Sequence, residues 1–340
     1  MKTKNIGIYI HIPFCKRKCE YCDFVSYSNC NNLIPEYVKW LRYEIREIGD
    51  SNKSDFENGL DDLAIVKTIY IGGGTPSVID ECYIKEIMQE LRSHFSISED
   101  AEITIEVNPG TVDEKKLMVY KNAGINRLSI GLQTTNNKLL KILGRVHSYE
   151  EFLDAYNIAR RVGFNNINVD LMIGLPQQKL ENVEKSITEV IKLNPEHVSV
   201  YSLIIEEGTP FAKKMEIGEL QLPDEEIERE MYWQVKKKLE EAGYNHYEIS
   251  NFAKQGYESK HNTSCWNQEE YIGIGVAAHS YTNNVRYSTI ESVSEYINNF
   301  ETNNESDNLI FHEKQNRESK MKEYMLLGLR KINRNFNKKL

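Results

Sequence analysis

Three cysteines fall in one short stretch, Cys15-Lys-Arg-Lys-Cys19-Glu-Tyr-Cys22, directly after an apolar run. Thiolates are soft ligands suited to zinc or to an iron–sulfur cluster. The tight spacing lets one loop wrap its backbone around a compact centre. Having three ligands and not four is the informative feature. A structural zinc closes its tetrahedron with a fourth Cys or His, and His11 is the nearby candidate. A four-iron cluster on three thiolates instead keeps one iron open to a further ligand. Lys16, Arg17 and Lys18 are placed to offset the negative charge of such a centre. Cys30, Cys82 and Cys265 are scattered and read as small core hydrophobes.

Further polar and glycine-rich features recur along the chain. Gly72-Gly73-Gly74-Thr75-Pro76 can bring bare backbone against a ligand. Glu106-Val107-Asn108-Pro109-Gly110 supplies a carboxylate, and Ser129-Ile130-Gly131-Leu132-Gln133 supplies an amide. Asp170 precedes Gly174-Leu175-Pro176, and Tyr201 offers a face on which an adenine could stack. Singly, each is an ordinary turn or helix cap. They gain weight because each closes a strand candidate. In parallel βα architectures ligands bind at the carboxyl ends of the strands.

The elements that would position these residues are legible as an alternation. Strand candidates are Ile6–Ile12, Leu63–Ile71, Glu102–Val107, Arg127–Gly131, Ile167–Ile173 and His197–Ile205. Several are continuous and Val/Ile-rich, as strands covered on both faces are. Between them lie the amphipathic segments Pro35–Ile48, Glu81–Phe95, Asp113–Ala123, Ser148–Val162 and Leu180–Leu193, with Gly124 and Gly163 as stop signals. The alternation predicts an α/β fold with parallel βαβ units. An incomplete (β/α)6 barrel is the first expectation, and a doubly wound open sheet the alternative. From Leu222 the texture changes. Pro223 and Asp224 open a charged helix running to about Ala242, followed by a strand-like Tyr244–Ile249 and a small-residue stretch, Tyr271–Tyr281. Ser292–Asp307 reads as containing a loop and Lys314–Lys331 as a final amphipathic helix. This predicts a core domain over 1–221 and a smaller α/β module over 222–340.

The chain has 340 residues, with 42 Lys+Arg against 51 Asp+Glu, a formal charge of −9. That acidic balance argues against a nucleic-acid or polybasic membrane binder. No run approaches the ~20 apolar residues of a membrane span. Met1–Asn5 leads straight into a strand-like run and Pro13, unlike a signal peptide. Six cysteines without a secretory signal fit metal binding in a reducing, cytoplasmic setting better than a disulfide framework.

Cys15-x-x-x-Cys19-x-x-Cys22 at the end of a first strand resembles the signature of the radical S-adenosylmethionine (radical SAM) superfamily. The resemblance implies a [4Fe–4S] cluster on these three cysteines. Its open iron would chelate the amino and carboxylate groups of SAM, and reductive cleavage of SAM would yield a 5′-deoxyadenosyl radical. Within the superfamily the chain is similar to the branch of oxygen-independent coproporphyrinogen III oxidase and the HemW heme chaperones. By match to that branch, Tyr9 and Tyr21 would lie beside cluster and SAM, and Gly73, Gly74 and Thr75 against the methionine part of SAM. Glu106, Gln133, Arg145 and Asp170 would bind its carboxylate, amino and ribose groups, and Tyr201 its adenine. Carboxylates and an amide suit hydroxyl and ammonium donors, and arginine suits a carboxylate. Arg145 alone would otherwise read as a helix-end surface charge.

Two features separate the branches. The oxidase has a further cysteine two positions after the last ligand, where this chain has Phe24. His261-Asn262-Thr263-Ser264-Cys265-Trp266 is similar to the HNxxYW stretch of the HemW family, whose histidine is associated with heme; Cys265 stands in place of the tyrosine. The resemblance therefore implies a cytoplasmic chaperone that binds heme through His261 and delivers it to apo-hemoproteins. The alternatives are the oxidase itself, decarboxylating propionate side chains by radical chemistry, and a zinc-stabilised binding module. Homodimerisation and transient membrane contact stay open. The family continues beyond Leu327-Gly328-Leu329-Arg330, whereas this chain stops after the basic stretch Lys331–Leu340, so the second module is expected to be incomplete.

Overall fold

The computed structural model describes residues 3–57 and 63–332. The first half builds β1 (Thr3–Ile12), α1 (Ile34–Glu57), β2 (Leu63–Gly73), α2 (Glu81–His94), β3 (Ser96–Val107), α3 (Glu114–Asn122) and β4 (Arg127–Gln133). It continues through α4 (Asn137–Ile142), α5 (Tyr149–Val162), β5 (Ile167–Ile173), α6 (Leu180–Leu193) and β6 (His197–Ser202). β1 to β6 pair consecutively and in parallel, as strands joined by crossover helices must. Local signals agree with this layout. Ser148 and Glu151 form a capping box at the start of α5, and Gly163 ends it at φ 95°.

Alternation along each strand divides the sheet into two chemistries. Ile8, Ile10 and Ile12 of β1 and Ile69 and Ile71 of β2 are buried in the main hydrophobic core. Their neighbours Tyr9, His11, Thr68 and Tyr70 take part in hydrogen bonds and ring contacts with one another and with further polar residues. The barrel is thus apolar outside, under its helices, and polar within.

The second half adds α7 (Pro210–Glu216), α8 (Glu225–Glu241), β7 (Asn245–Glu248), β8 (Asn251–Ala253), α9 (Lys260–Trp266) and β9 (Tyr271–Ile274). It ends with β10 (His279–Thr282), β11 (Val285–Thr289), α10 (Val293–Glu301), β12 (Leu309–Lys314) and α11 (Arg317–Gly328). The strand order is β12-β11-β10-β9-β1-β2-β3-β4-β5-β6-β8-β7 in one sheet, an open α/β barrel with both edges extended. The boundary expected at 221/222 does not separate two sheets. β9 runs parallel beside β1, and β8 antiparallel beside β6. An unclosed barrel leaves backbone donors and acceptors bare at both edges, and the later strands satisfy them.

The C-terminal stretch differs from expectation in two places. Ser292–Asp307 holds the expected loop at 302–304 but also α10, whose Val293, Tyr296, Ile297 and Phe300 are buried. Their helical spacing is obscured in the sequence by the Asn and Glu residues of the outer face. The final helix begins at Arg317, not Lys314, and buries no residue. Lys314 closes β12, an exposed edge strand that the sequence pattern does not announce. Of the basic terminal stretch, 333–340 lies outside the described residues. Among the described residues no helix is long and apolar enough to cross a membrane.

Glu44 of α1 is buried in this scaffold. It accepts hydrogen bonds from the Tyr296 hydroxyl at 2.5 Å and the Gly275 N–H at 2.9 Å, tying α1 to α10 and to the turn after β9. Burial pushes its carboxyl up to about 7. The folded state therefore holds this proton more tightly than the unfolded chain does. The stability it contributes is complete below the unfolded carboxylate range and is lost as pH rises through about 7. Glu44→Gln stays neutral throughout. Its Tm relative to wild type should climb between about pH 5 and pH 8 in thermal melts. A pH-independent difference would contradict this account.

Candidate functional site

The carboxyl ends of β1 to β6 surround a cavity of about 430 Å³. Cys15, Cys19 and Cys22 line one side of it, together with Tyr21 and Phe24. The loop that carries them is held at several points. Cys15 N–H donates to the Tyr27 carbonyl at 2.9 Å, Glu20 N–H to Leu143 at 3.1 Å, and Phe211 N–H to Glu20 at 2.9 Å. Lys16 and Lys18 donate to the carbonyls of Gly110 and Phe24 at 2.9 and 3.0 Å, and Arg17 lies 3.8 Å from Glu20. These cations brace the loop as well as adding positive charge. Burial pushes the Cys15 and Cys22 thiols up, so ligation must be accompanied by proton release.

Gly73, Gly74 and Thr75 face the thiols across the cavity rim. Gly74 N–H donates to the Ile12 carbonyl at 2.9 Å and Thr75 N–H to Phe14 at 2.8 Å. The glycines are required by space. A Cβ on Gly74 would stand 2.8 Å from the Phe14 oxygen and 3.1 Å from Cys15 Sγ, and one on Gly73 would stand 2.7 Å from the His11 ring. Gly73 also has φ +114°. The bare backbone forms a cradle against the cysteine loop, which suits a compact cluster with a ligand beside it.

The opposite wall holds the charges. Arg145 is half-buried and lines the site, so it is not a surface cation. Its guanidinium donates to Asn108 Oδ1 at 2.5 Å, to the Gly131 carbonyl at 2.8 Å and towards Cys19 Sγ at 3.7 Å. Glu106 accepts the Tyr70 hydroxyl at 2.8 Å, and burial pushes its carboxyl up to about 7. Asp170, also raised by burial, accepts from Asn168 at 2.7 Å and Ser129 at 3.2 Å. Gln133 and Tyr201 complete the lining. Gln133 has φ +71° and sits where the β4–β5 register shifts, a bulge that turns its side chain toward the cavity.

Tyr9 and His261 are not among the residues lining this cavity. Tyr9 sits below the cavity, hydrogen-bonded to His11 Nδ1 at 3.0 Å and stacked on Tyr70 at 6.3 Å. His261, expected to be an axial ligand, is buried in the barrel interior on α9. Its Nδ1 bonds Thr68 Oγ1 at 2.9 Å and its ring stacks on Tyr70 at 5.3 Å. Burial lowers its pKa to about 4, so the ring is neutral. In this conformation His261 is only 6 % exposed. Cys265 offers no ready thiolate either, because burial pushes it up to about 11. A second opening, a polar groove of about 490 Å³, lies at the other end of the strands, lined by Lys67, Asp100, Glu258 and Thr263 among others. Among the described residues no three His, Cys, Asp or Glu side chains gather around a single-ion position.

Asn108 and Tyr70 do not stand out from the sequence as site residues. Asn108 donates to Thr75 Oγ1 at 2.9 Å while accepting from Arg145, linking the glycine cradle to the guanidinium. Its place two residues after Glu106 is the signal that could have found it. Tyr70 precedes the triple glycine by alternation on the same strand face.

A model of the radical SAM superfamily matches residues 9–190. The chain is 43% identical over 291 residues to the heme chaperone HemW of Bacillus subtilis, covering 85% of this chain and 74% of that protein. It is 36% identical over 331 residues to HemW of Lactococcus lactis (97% and 83%) and 39% identical over 281 residues to HemW of Escherichia coli (82% and 71%). In fold it is similar to the coproporphyrinogen III oxidase HemN of Escherichia coli, a radical SAM enzyme. The TM-score is 0.81 over 95% of this chain and 75% of that one, at 24% identity.

The cradle geometry separates two glycines that share positive φ. Gly163, at φ +95°, has nothing within 4 Å of where a Cβ would stand, whereas Gly73 meets the His11 ring. Gly163→Ala should lose only the roughly 1–2 kcal/mol of a left-handed alanine. Gly73→Ala should lower Tm by at least twice as much in calorimetry. Equal losses would mean that the cradle is not tightly packed.

Proposed function

The chain belongs to the radical SAM superfamily and, within it, to the HemW heme-chaperone family, and on that premise we propose that it binds heme and transfers it to apo-hemoproteins while carrying a [4Fe–4S] cluster and SAM. The observation that carries the reading is the meeting of three thiols, a glycine cradle, an arginine and two carboxylates around one strand-end cavity. Cys15, Cys19 and Cys22 would hold the cluster. When bound, the cluster supplies an open iron for SAM and a one-electron reduction of it.

The remaining work belongs to side chains of this chain. Gly73 and Gly74 let backbone approach the ligand, and Thr75 is held in place by Asn108. Arg145, fixed by Asn108 and Gly131, is set to receive a carboxylate beside the cysteine loop. Glu106, Asp170 and Gln133 are placed to accept from ammonium and hydroxyl groups, and Tyr201 to stack on a base. Phe24 stands where the oxidase has its additional cysteine, and its ring is exposed at the cavity rim. A chaperone reading follows from that replacement. The protein works in the cytoplasm on this reading, with heme and its recipients as partners. A homodimer and transient contact with a membrane surface are compatible with it.

Anaerobic reconstitution should give a brown protein with about four irons per chain. Cys19→Ala should lose most of that iron while keeping the fold by circular dichroism. The reconstituted protein should pass heme to an apo-hemoprotein, read from the Soret band, and should leave coproporphyrinogen III unchanged with SAM and a reductant. Formation of protoporphyrinogen IX would replace the chaperone reading with the oxidase. Zinc without iron would remove both.

A further inference from the structure

Two chains of contacts run from the cavity carboxylates down the barrel interior to α9. In the first, Glu106 Oε1 accepts the Tyr70 hydroxyl at 2.8 Å, and the Tyr70 ring lies on the His261 ring at 5.3 Å with 30° between planes. The packing is close. A Cβ on Gly72 would meet Tyr70 at 2.9 Å and the Glu106 carboxyl at 3.1 Å, so the glycine makes room for the pair. In the second chain, Asp170 accepts from Asn168 at 2.7 Å, and Asn168 Oδ1 accepts from His197 Nδ1 at 2.6 Å. The Tyr247 hydroxyl donates to His197 Nε2 at 2.8 Å and accepts the Ser259 N–H at 3.2 Å. Ser259 is the N-cap of α9.

α9 is itself anchored to the barrel. Glu102 of β3 accepts the first helical N–H groups, those of Lys260 and His261, at 3.2 Å each. A carboxylate there complements both the unpaired donors and the helix dipole. Thr68 holds the His261 ring from the side. The helix therefore closes the barrel below the cavity and is in contact with both carboxylate networks.

We propose that Tyr70 is a positioning residue for Glu106 with His261 as its footing, so that the seating of α9 sets how strongly the strand-end cavity holds SAM. The inference rests on the reading that this cavity takes SAM. Removing the footing lets the phenol tilt and the carboxylate lose its aim. Coupling runs both ways: whatever unseats α9 weakens the cavity, and a filled cavity stabilises the docked helix. His261 acts here as a packed, neutral ring.

Glu106 is faced by Tyr70 from β2, Asp170 from β5, Arg127 from β4 and Tyr9 from β1, and it accepts from the Gly73 N–H. Tyr201 of β6 also senses its charge. Of these, the Tyr70 hydrogen bond favours the ionised carboxyl. Tyr70→Phe keeps the stacked ring and removes that bond alone. In reconstituted protein under anaerobic equilibrium dialysis, it should bind SAM roughly tenfold more weakly, as expected for losing a hydrogen bond to a charged group. The pH midpoint of binding should move upward, because the carboxyl then holds its proton to higher pH.

His261→Asn keeps a polar partner for Thr68 and removes the ring. It should weaken SAM binding in the same direction, and Tyr70→Phe combined with His261→Asn should be no weaker than Tyr70→Phe alone. That non-additivity, with circular dichroism unchanged, is the signature of His261 acting through Tyr70. Wild-type affinity and pH midpoint in Tyr70→Phe would overturn the inference while leaving the cavity reading intact, as would additive losses in the double variant. Failure of the wild-type protein to bind SAM would overturn both.

Discussion

Parallel pairing of β1 to β6 is the constraint on which the rest depends. Each strand must return by a crossover, so all six carboxyl ends fall at one end of the sheet. The loop with the three cysteines, the triple glycine, and the segments holding Glu106, Gln133, Asp170 and Tyr201 are far apart in the chain. They share one cavity because they share a position relative to their strands. A shift of pairing by one residue would turn each inward polar side chain to the apolar face. The core on one side of the sheet therefore fixes the site on the other.

A polar barrel interior has a cost that the structure meets by pairing. Glu106, Asp170 and Asn168 all have partners within hydrogen-bonding distance, and His197 and His261 are kept neutral. Burial still pushes the Glu106 and Asp170 carboxyls up. Their ionised forms are incompletely compensated, which suits groups meant to receive an ammonium or hydroxyl donor. Arg145 is the counterpart. It is held by neutral acceptors, Asn108 Oδ1 and the Gly131 carbonyl, and no salt bridge involves it among the described residues, so its charge remains available to a ligand.

The sequence carried much of this. The strand candidates at Arg127, Ile167 and His197 start where β4, β5 and β6 do, because continuous Val/Ile runs bounded by helix caps have few alternative readings. α10 was hidden because its apolar residues are spaced at helical intervals within an Asn-rich stretch. β12 was hidden because an exposed edge strand has no buried face to leave a pattern. The continuity of the sheet across residue 222 could not be read at all. Short strands such as β8 and β9 find their partners through edges left open by a distant part of the chain.

Residue type and spacing by themselves determined the chemistry: three soft ligands in a loop, glycines where backbone must approach, and carboxylates at strand ends. These are local matters of valence and bulk. The tertiary structure decided which residues meet. It left Tyr9 out of the cavity lining, set Arg145 beside Cys19, and made Asn108 the link between cradle and guanidinium. It also packed His261 into the barrel interior against Tyr70 and Thr68. Accessibility and long-range hydrogen bonding are properties of packed elements, and the curvature of an open barrel closed below by α9 exists only once those elements have assembled.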